Sequence, residues 1–377
     1  MKKVCRLAGA ILLMLITAVL LSCQPDDSDN SSGTDDTSAT GQGLAITADF
    51  LNQTLSIVDI DKLTKGATRA DALVGTVDLS NYSPGPLDLA ITPDGKTALV
   101  SISGGWLGSF TTVPAGNGTL LFVDIPSRKV VAELFTGKSP MGIAITKDGK
   151  RAFVGHYAES YFAVVDIAAR TYTKIQTGAQ YNEEIALDDT ETVGILSYGT
   201  SGNCRTFSVA NPSTLGKTTG ISGDAAGVAF FPGTKVAYVV ESPTPLTLNA
   251  GGHVLVKVTN VSAPTTSNHV SSMQSPNWYP VTPLPSRKTV AIPAVKNGTL
   301  SLVEMKLNGT TAQQVQSITV GAVEKIAYGA VTDPSGRVLV AVPGEHFVGV
   351  IDLASGTAFT VPWEVSESGP TTIRIVP

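Results

Sequence analysis

Two stretches of the chain nearly repeat one another. Pro86-Leu87-Asp88-Leu89-Ala90-Ile91-Thr92-Pro93-Asp94-Gly95-Lys96, continuing to Val100, is matched by Pro140-Met141-Gly142-Ile143-Ala144-Ile145-Thr146-Lys147-Asp148-Gly149-Lys150, continuing to Val154. In each, two short apolar runs flank an Asp-Gly pair, which spells a β-hairpin because these residues accept the backbone of a tight reversal. Weaker copies occupy Glu184 to Leu196, Ala225 to Val239, Tyr279 to Ile292 and Ile326 to Ala341, making six hairpins. A third run ending in Val-Asp-Ile or a relative occurs seven times: Thr54 to Ile60, Thr119 to Ile125, Tyr161 to Ile167, Cys204 to Ala210, His253 to Thr259, Thr299 to Met305 and Phe347 to Leu353. Units this small cannot bury an apolar face alone and must stack on their neighbours.

Seven third strands for six hairpins leave a mismatch that the chain ends resolve. Thr371 to Pro377 reads as the opening strand of a hairpin and then stops, while Leu44 to Asp49 reads as a second strand without its opener. The simplest architecture is an all-β, closed seven-bladed propeller of four-stranded blades, in which the C-terminal strand completes the N-terminal blade. The 335 residues from 43 to 377 allow about 48 per blade, within the usual propeller range. Closure also removes the sheet edges that an open stack would expose. The expected blades are 371–377 with 43–80, then 84–138, 139–179, 180–221, 222–275, 276–321 and 322–369. A low charged fraction of 15% and 37 glycines agree with an all-β chain.

With its proline, short β-run, Asp-Gly-Lys, Val-rich strand and Val-Asp strand, the repeat resembles the YVTN/YncE-like β-propeller repeat family. The resemblance covers nearly all of 43 to 377, strongly in two repeats; Cys204 to Ala210 and His253 to Thr259 lack the acidic residue. Related propellers include lactonases and cofactor-bearing domains of periplasmic oxidoreductases, so fold leaves function open.

Ahead of the repeats, Lys2, Lys3 and Arg6 precede an apolar run from Leu7 to Leu21. Fifteen helical residues reach about 22 Å, short of the roughly 30 Å hydrocarbon core, so the run reads as a signal peptide over 1–22. Leu20-Leu21-Ser22-Cys23 resembles the bacterial lipobox, which implies lipidation of Cys23 and a membrane anchor. Gln24 is not the aspartate that retains such proteins in the inner membrane, so the outer membrane is the expected site. Residues 23–42 are Asp, Ser, Thr, Asn and Gly with almost nothing apolar, and read as a flexible acidic tether. Residues 43 to 377 keep 26 acidic and 23 basic residues, a balance of −3, which gives no attraction to nucleic acid. Of three cysteines, only Cys204 remains in the repeats, so one mature chain has no internal disulfide.

In such a ring, the loops into first strands and those from second to third strands share a face. The two insertions, Ser101 to Gly118 and Glu241 to Gly252, fall there, as do Trp106, Phe110, Tyr157, Tyr181, Tyr198, Trp278 and Tyr279, together with Tyr82 and Trp363. Aromatics on one face mark a candidate contact surface. Asp88, Glu183, Glu184, Asp224 and Glu324 lie beside first strands and are candidates to converge on the channel mouth, where calcium is the cation that carboxylates suit. Asp59, Asp124, Asp166 and Asp352 end third strands and read as turn formers. His156, His253, His269 and His346 lack metal-ligand spacing. The chain has no nucleophile elbow, Walker loop or zincin helix, and Cys204 reads as a strand residue.

The expectation is therefore a monomeric, lipid-anchored envelope protein, non-catalytic and without a cofactor beyond that calcium, binding a protein or glycan. The alternatives are a metal-assisted lactonase or lyase and a periplasmic redox-associated propeller.

Overall fold

The computed structural model describes residues 43–103, 117–199, 203–220, 224–242, 252–258, 261–267, 280–296, 298–323, 327–363 and 369–377. Their strands form seven four-stranded antiparallel sheets, each inside the blade limits expected from the repeats to within a residue. Blade 2, for example, runs outward from Pro86–Ile91 through Thr97–Ile102 and Asn117–Asp124 to Lys129–Lys138. The innermost strands touch one another around a complete circle, the closing strand Thr372–Ile375 included. That strand pairs with Leu44–Asp49, setting Ala45 opposite Ile375 and Ala48 opposite Thr372. Two further backbone bonds extend the seam, from Thr371 N–H to Ala48 O at 2.8 Å and from Val376 N–H to Leu44 O at 2.9 Å.

The Asp-Gly signals act as read. In blade 2, Asp94 Oδ1 accepts from Thr92 Oγ1 at 2.6 Å and from Lys96 N–H at 3.1 Å, while Gly95 takes φ +69°. Blade 3 repeats the device with Asp148, Thr146, Lys150 and Gly149. The hydroxyl bond first, then the amide bond, holds both carboxyls below their ordinary value. The third-strand aspartates also form turns: Asp124 accepts from Ser127 N–H, Asp166 from Ala169 N–H and Asp352 from Ala354 N–H, each at 2.8 Å. Asp59 does the same for Asp61 N–H at 3.0 Å.

The core lies between blades, where sheets face each other. Ile46, Leu55 and Val77 of blade 1 meet Leu89, Val100 and Leu121 of blade 2, and Phe153 and Phe162 of blade 3 meet Leu196 and Phe207 of blade 4. Arginines tie adjacent blades at their rims. Arg151 Nη1 donates to Val209 O at 2.7 Å and Arg205 Nη1 to Thr177 O at 2.6 Å. Arg337 links blade 7 to Ile60 O of blade 1 at 3.0 Å while paired with Asp333. Among the described residues, no helix is long and apolar enough to cross a membrane.

Candidate functional site

At the start of their inner strands, blades 2 to 5 carry a β-bulge, between Pro86 and Asp88, Pro140 and Ile143, Asn182 and Ile185, and Ala225 and Val228. A bulge breaks the ladder and re-aims side chains. In blades 2 and 4 a serine of the second strand takes the freed amide: Asp88 N–H donates to Ser101 Oγ at 3.0 Å and Glu184 N–H to Ser197 Oγ at 3.1 Å. Registers that set Leu89 opposite Val100, Ile143 opposite Val154 and Ile185 opposite Leu196 make Asp88, Gly142 and Glu184 equivalent positions.

These three positions build the site. Asp88, only 4% exposed, accepts from Arg374 Nη2 at 2.8 Å on Oδ1 and from Ile143 N–H at 3.3 Å on Oδ2. Arg374 comes from the closing strand, so the same ion pair also fastens the ring. Glu184 approaches from the other side, since a Cβ on Gly142 would stand 2.6 Å from its Oε2 and 2.9 Å from Glu183 O. Glycine at 142 leaves room for the Glu184 carboxylate on one side of the peptide whose next amide Asp88 accepts from. Glu184 is half-buried. Burial first, and the charge of Asp88 second, push its carboxyl up to about 8 against the opposing pull of Arg374.

Glu183 is buried beside them, and a Cβ on Gly199 would overlap its carboxylate. Burial pushes the Tyr328 phenol well above its ordinary value, with Glu183, Glu184, Asp88 and Tyr157 adding to the shift. Phe50, Leu87 and Met141 pack together here, with Tyr157 and Tyr328 against them. Tyr157 in turn meets Tyr181 edge-on, ring centres 4.9 Å apart. Tyr181 sits at φ +68°, an uncommon backbone for an aromatic, and is held there by bonds from Tyr181 N–H to Tyr157 O and from Gly199 N–H to Tyr181 O, both 2.8 Å.

Of the acids singled out in the sequence, Asp88, Glu183 and Glu184 lie at the bulged inner-strand starts of blades 2 and 4 and all act on the Tyr328 phenol, and Tyr157 and Tyr181 are half-buried partners. Two expectations need correction. Tyr198 is fully buried at the end of Val193–Tyr198, inside the core between blades 3 and 4. Trp363 is fully buried too, its Nε1 donating to Asp49 Oδ1 at 3.1 Å. Val193–Tyr198 is buried along its whole length and keeps its terminal aromatic inside, whereas Trp363, just past Thr357–Pro362, is drawn into the core between blades 7 and 1. Trp106, Phe110, Trp278, Tyr279 and Glu324 lie outside the described residues, as do His269 and the side chains of Asp224 and His253.

His156 and Cys204 lie in the core, whereas His346 is exposed. His156 is buried between Val154 O at 3.1 Å and Thr136 Oγ1 at 3.0 Å, and burial pulls its pKa down to about 4. Burial pushes the Cys204 thiol up to about 12. Among the described residues, no group of three or more His, Cys, Asp or Glu is arranged to hold a metal ion. Sequence reasoning missed Arg374 and Tyr328. The signal for Arg374 was present, since it is the one cation within the described inner strands.

No protein-family model matches the chain, and no curated protein matches its sequence. Solved structures do match in shape. A functionally unknown protein from Desulfotomaculum acetoxidans DSM 771 superimposes with a TM-score of 0.68 at 14% identity, over 89% of this chain and 99% of that one. Hydrazine synthase from Kuenenia stuttgartiensis gives a TM-score of 0.58 at 17% identity, over 72% and 77% of the two chains. The dihydro-heme d1 dehydrogenase NirN, in complex with DHE, gives 0.56 at 13% identity, over 90% and 76%. At these identities the likeness establishes the propeller fold alone.

Proposed function

We propose that the chain is a lipid-anchored envelope protein, held in the outer membrane through Cys23, whose propeller binds a protein or glycan without catalysis. The observation that carries the reading is the placement of the long connections. Residues 103–116 follow Thr97–Ile102 and precede Asn117–Asp124, and residues 243–251 follow Val236–Ser242 and precede Gly252–Lys257. Both join second to third strands, so both leave the face that carries Tyr157 and Tyr181. Length and aromatic content concentrated on one face are what a recognition surface needs. The likeness of the repeat to the YVTN/YncE-like family and the lipobox before Cys23 supply the finer assignment. The metal-assisted alternative loses support at Asp88, whose two oxygens are engaged by Arg374 and Ile143.

Two experiments test the reading. Cys23→Ala should leave a soluble or an uncleaved protein and abolish palmitate incorporation; unchanged membrane association with normal maturation rules the anchor out. The chain expressed from residue 24 onward, without signal or lipid, should retain specific binding on a glycan array or in cross-linking to envelope proteins. Trp106→Ala and Trp278→Ala should each weaken the binding by about 1 to 4 kcal/mol, the range for aromatic anchors, at unchanged melting temperature. Full binding by both variants removes this face as the recognition surface.

A further inference from the structure

The channel end of blades 1 to 4 holds more carboxylates than cations. Asp88 of blade 2 and Glu184 of blade 4 flank the Gly142-Ile143 peptide of blade 3. Arg374, from the closing strand of blade 1, is the cation facing them, and it is bound to Asp88. Tyr328 of blade 7 faces both carboxylates, and the further groups acting on its phenol, Glu183 of blade 4 and Tyr157 of blade 3, are acidic or neutral. Asp88 satisfies its oxygens with Arg374 and the Ile143 amide. Glu184 has Gly142 and the carboxylate of Asp88 as neighbours instead. Two like charges around one peptide, with the one counter-ion bound to Asp88, repel, and a proton on one carboxyl removes that repulsion.

We infer that Asp88 and Glu184 carry one negative charge between them, that the proton rests on Glu184, and that this proton keeps the ring tight where the closing strand meets blades 2 to 4. Arg374 then neutralises Asp88 completely, and the channel end carries no excess charge from the pair. Loss of the proton leaves one uncompensated charge among three blades whose inner strands are in contact. The direction follows from the shift. A carboxyl raised from its ordinary range to about 8 is more easily protonated in the folded than in the unfolded chain. Its stabilising contribution is whole at acid pH, declines as pH rises across that window, and is gone above it. The inference is independent of what the loop face binds.

The test is thermal unfolding of the intact protein and of Glu184→Gln between pH 6 and 9. The wild type should lose at least about 2 °C across this range, and the glutamine, which mimics the protonated acid, should abolish that loss. A wild-type slope retained in Glu184→Gln overturns the inference. Should the variant fold poorly, infrared spectroscopy of the wild type gives a second readout. A protonated carboxyl band persisting at pH 7 and titrating near pH 8 supports the shared proton, and its disappearance by pH 5 refutes it. Calcium added at pH 9 should leave the melting temperature of the wild type unchanged. A rise in the wild type alone, absent in Glu184→Gln, makes the pair a cation site and overturns the proton assignment.

Discussion

The Trp363 indole of the last blade donates its N–H to Asp49 of the first, at 3.1 Å, across a chain separation of 314 residues. Asp49 is fully buried and is also bonded by Thr47 and Ser56, with Arg69 reaching Ser56 from outside. Burial pushes its carboxyl up, opposed by these partners. Trp363→Phe keeps most of the packing and deletes the donor, leaving a buried acceptor short of a partner. It should cost about 1 to 3 kcal/mol, measured as a lower urea midpoint at unchanged slope.

Deleting Thr371 to Pro377 removes the strand opposite Leu44–Asp49, the Arg374 bond to Asp88 and the seam bonds of Thr371 and Val376. It bares an inner edge in blade 1 and should abolish cooperative unfolding or soluble expression. A truncated protein melting within a few degrees of the full chain contradicts this expectation.

His156 gives the molecule an acid-side sensitivity opposite in sign to that of Glu184. Its imidazole is held neutral by burial, with a pKa near 4 against an ordinary 6.5, so the unfolded chain binds more protons between these values. Stability should therefore fall as pH drops from about 6.5 towards 4. Replacing His156 with Gln should flatten that part of the melting curve.

Cys204 is buried, and its thiol is raised to about 12. A thiol reagent should leave it untouched in the folded protein and label it at the rate of unfolding. Rapid labelling under native conditions would show that blade 4 opens locally.

Gly194 faces Phe207, and a Cβ there would overlap the ring, which itself packs 5.2 Å from Phe153 and 4.9 Å from Phe162. Gly194→Ala should cost about 1 to 3 kcal/mol by overpacking, read as a lower melting temperature. Phe207→Leu in the same chain should recover part of the loss.

The fold was legible because its signals are local and repeated. The Asp-Gly turns at Asp94 and Asp148 and the turn aspartates at Asp124 and Asp166 each act within a few residues of themselves. Closure by Thr371 to Pro377 was legible by counting strands. The site was legible only in part, because its geometry depends on registers that no local pattern reports. Glu183 and Glu184 are adjacent in sequence, yet it is Glu184 that comes up against Gly142, beside the Ile143 amide bonded to Asp88. Tyr198 and Tyr181 look alike as aromatics near loops, and the difference between core and face is the burial of the strand that ends at Tyr198.

The seam has a consequence for the order in which the chain assembles. Ala45 and Ile375 are paired across 330 residues, whereas every other blade is made from neighbouring sequence. Loop entropy grows with the logarithm of length, so bringing these ends together costs only about 2 kcal/mol more than closing a single blade. That difference shrinks further once the intervening blades have stacked and carried the ends toward each other. Neighbouring blades, whose shared cores need each other, are thus expected to stack first, with the clasp between first and last strands shutting last. In the native state the same clasp can unlatch while each of the other six sheets stays whole, which makes it the natural first step of any partial opening.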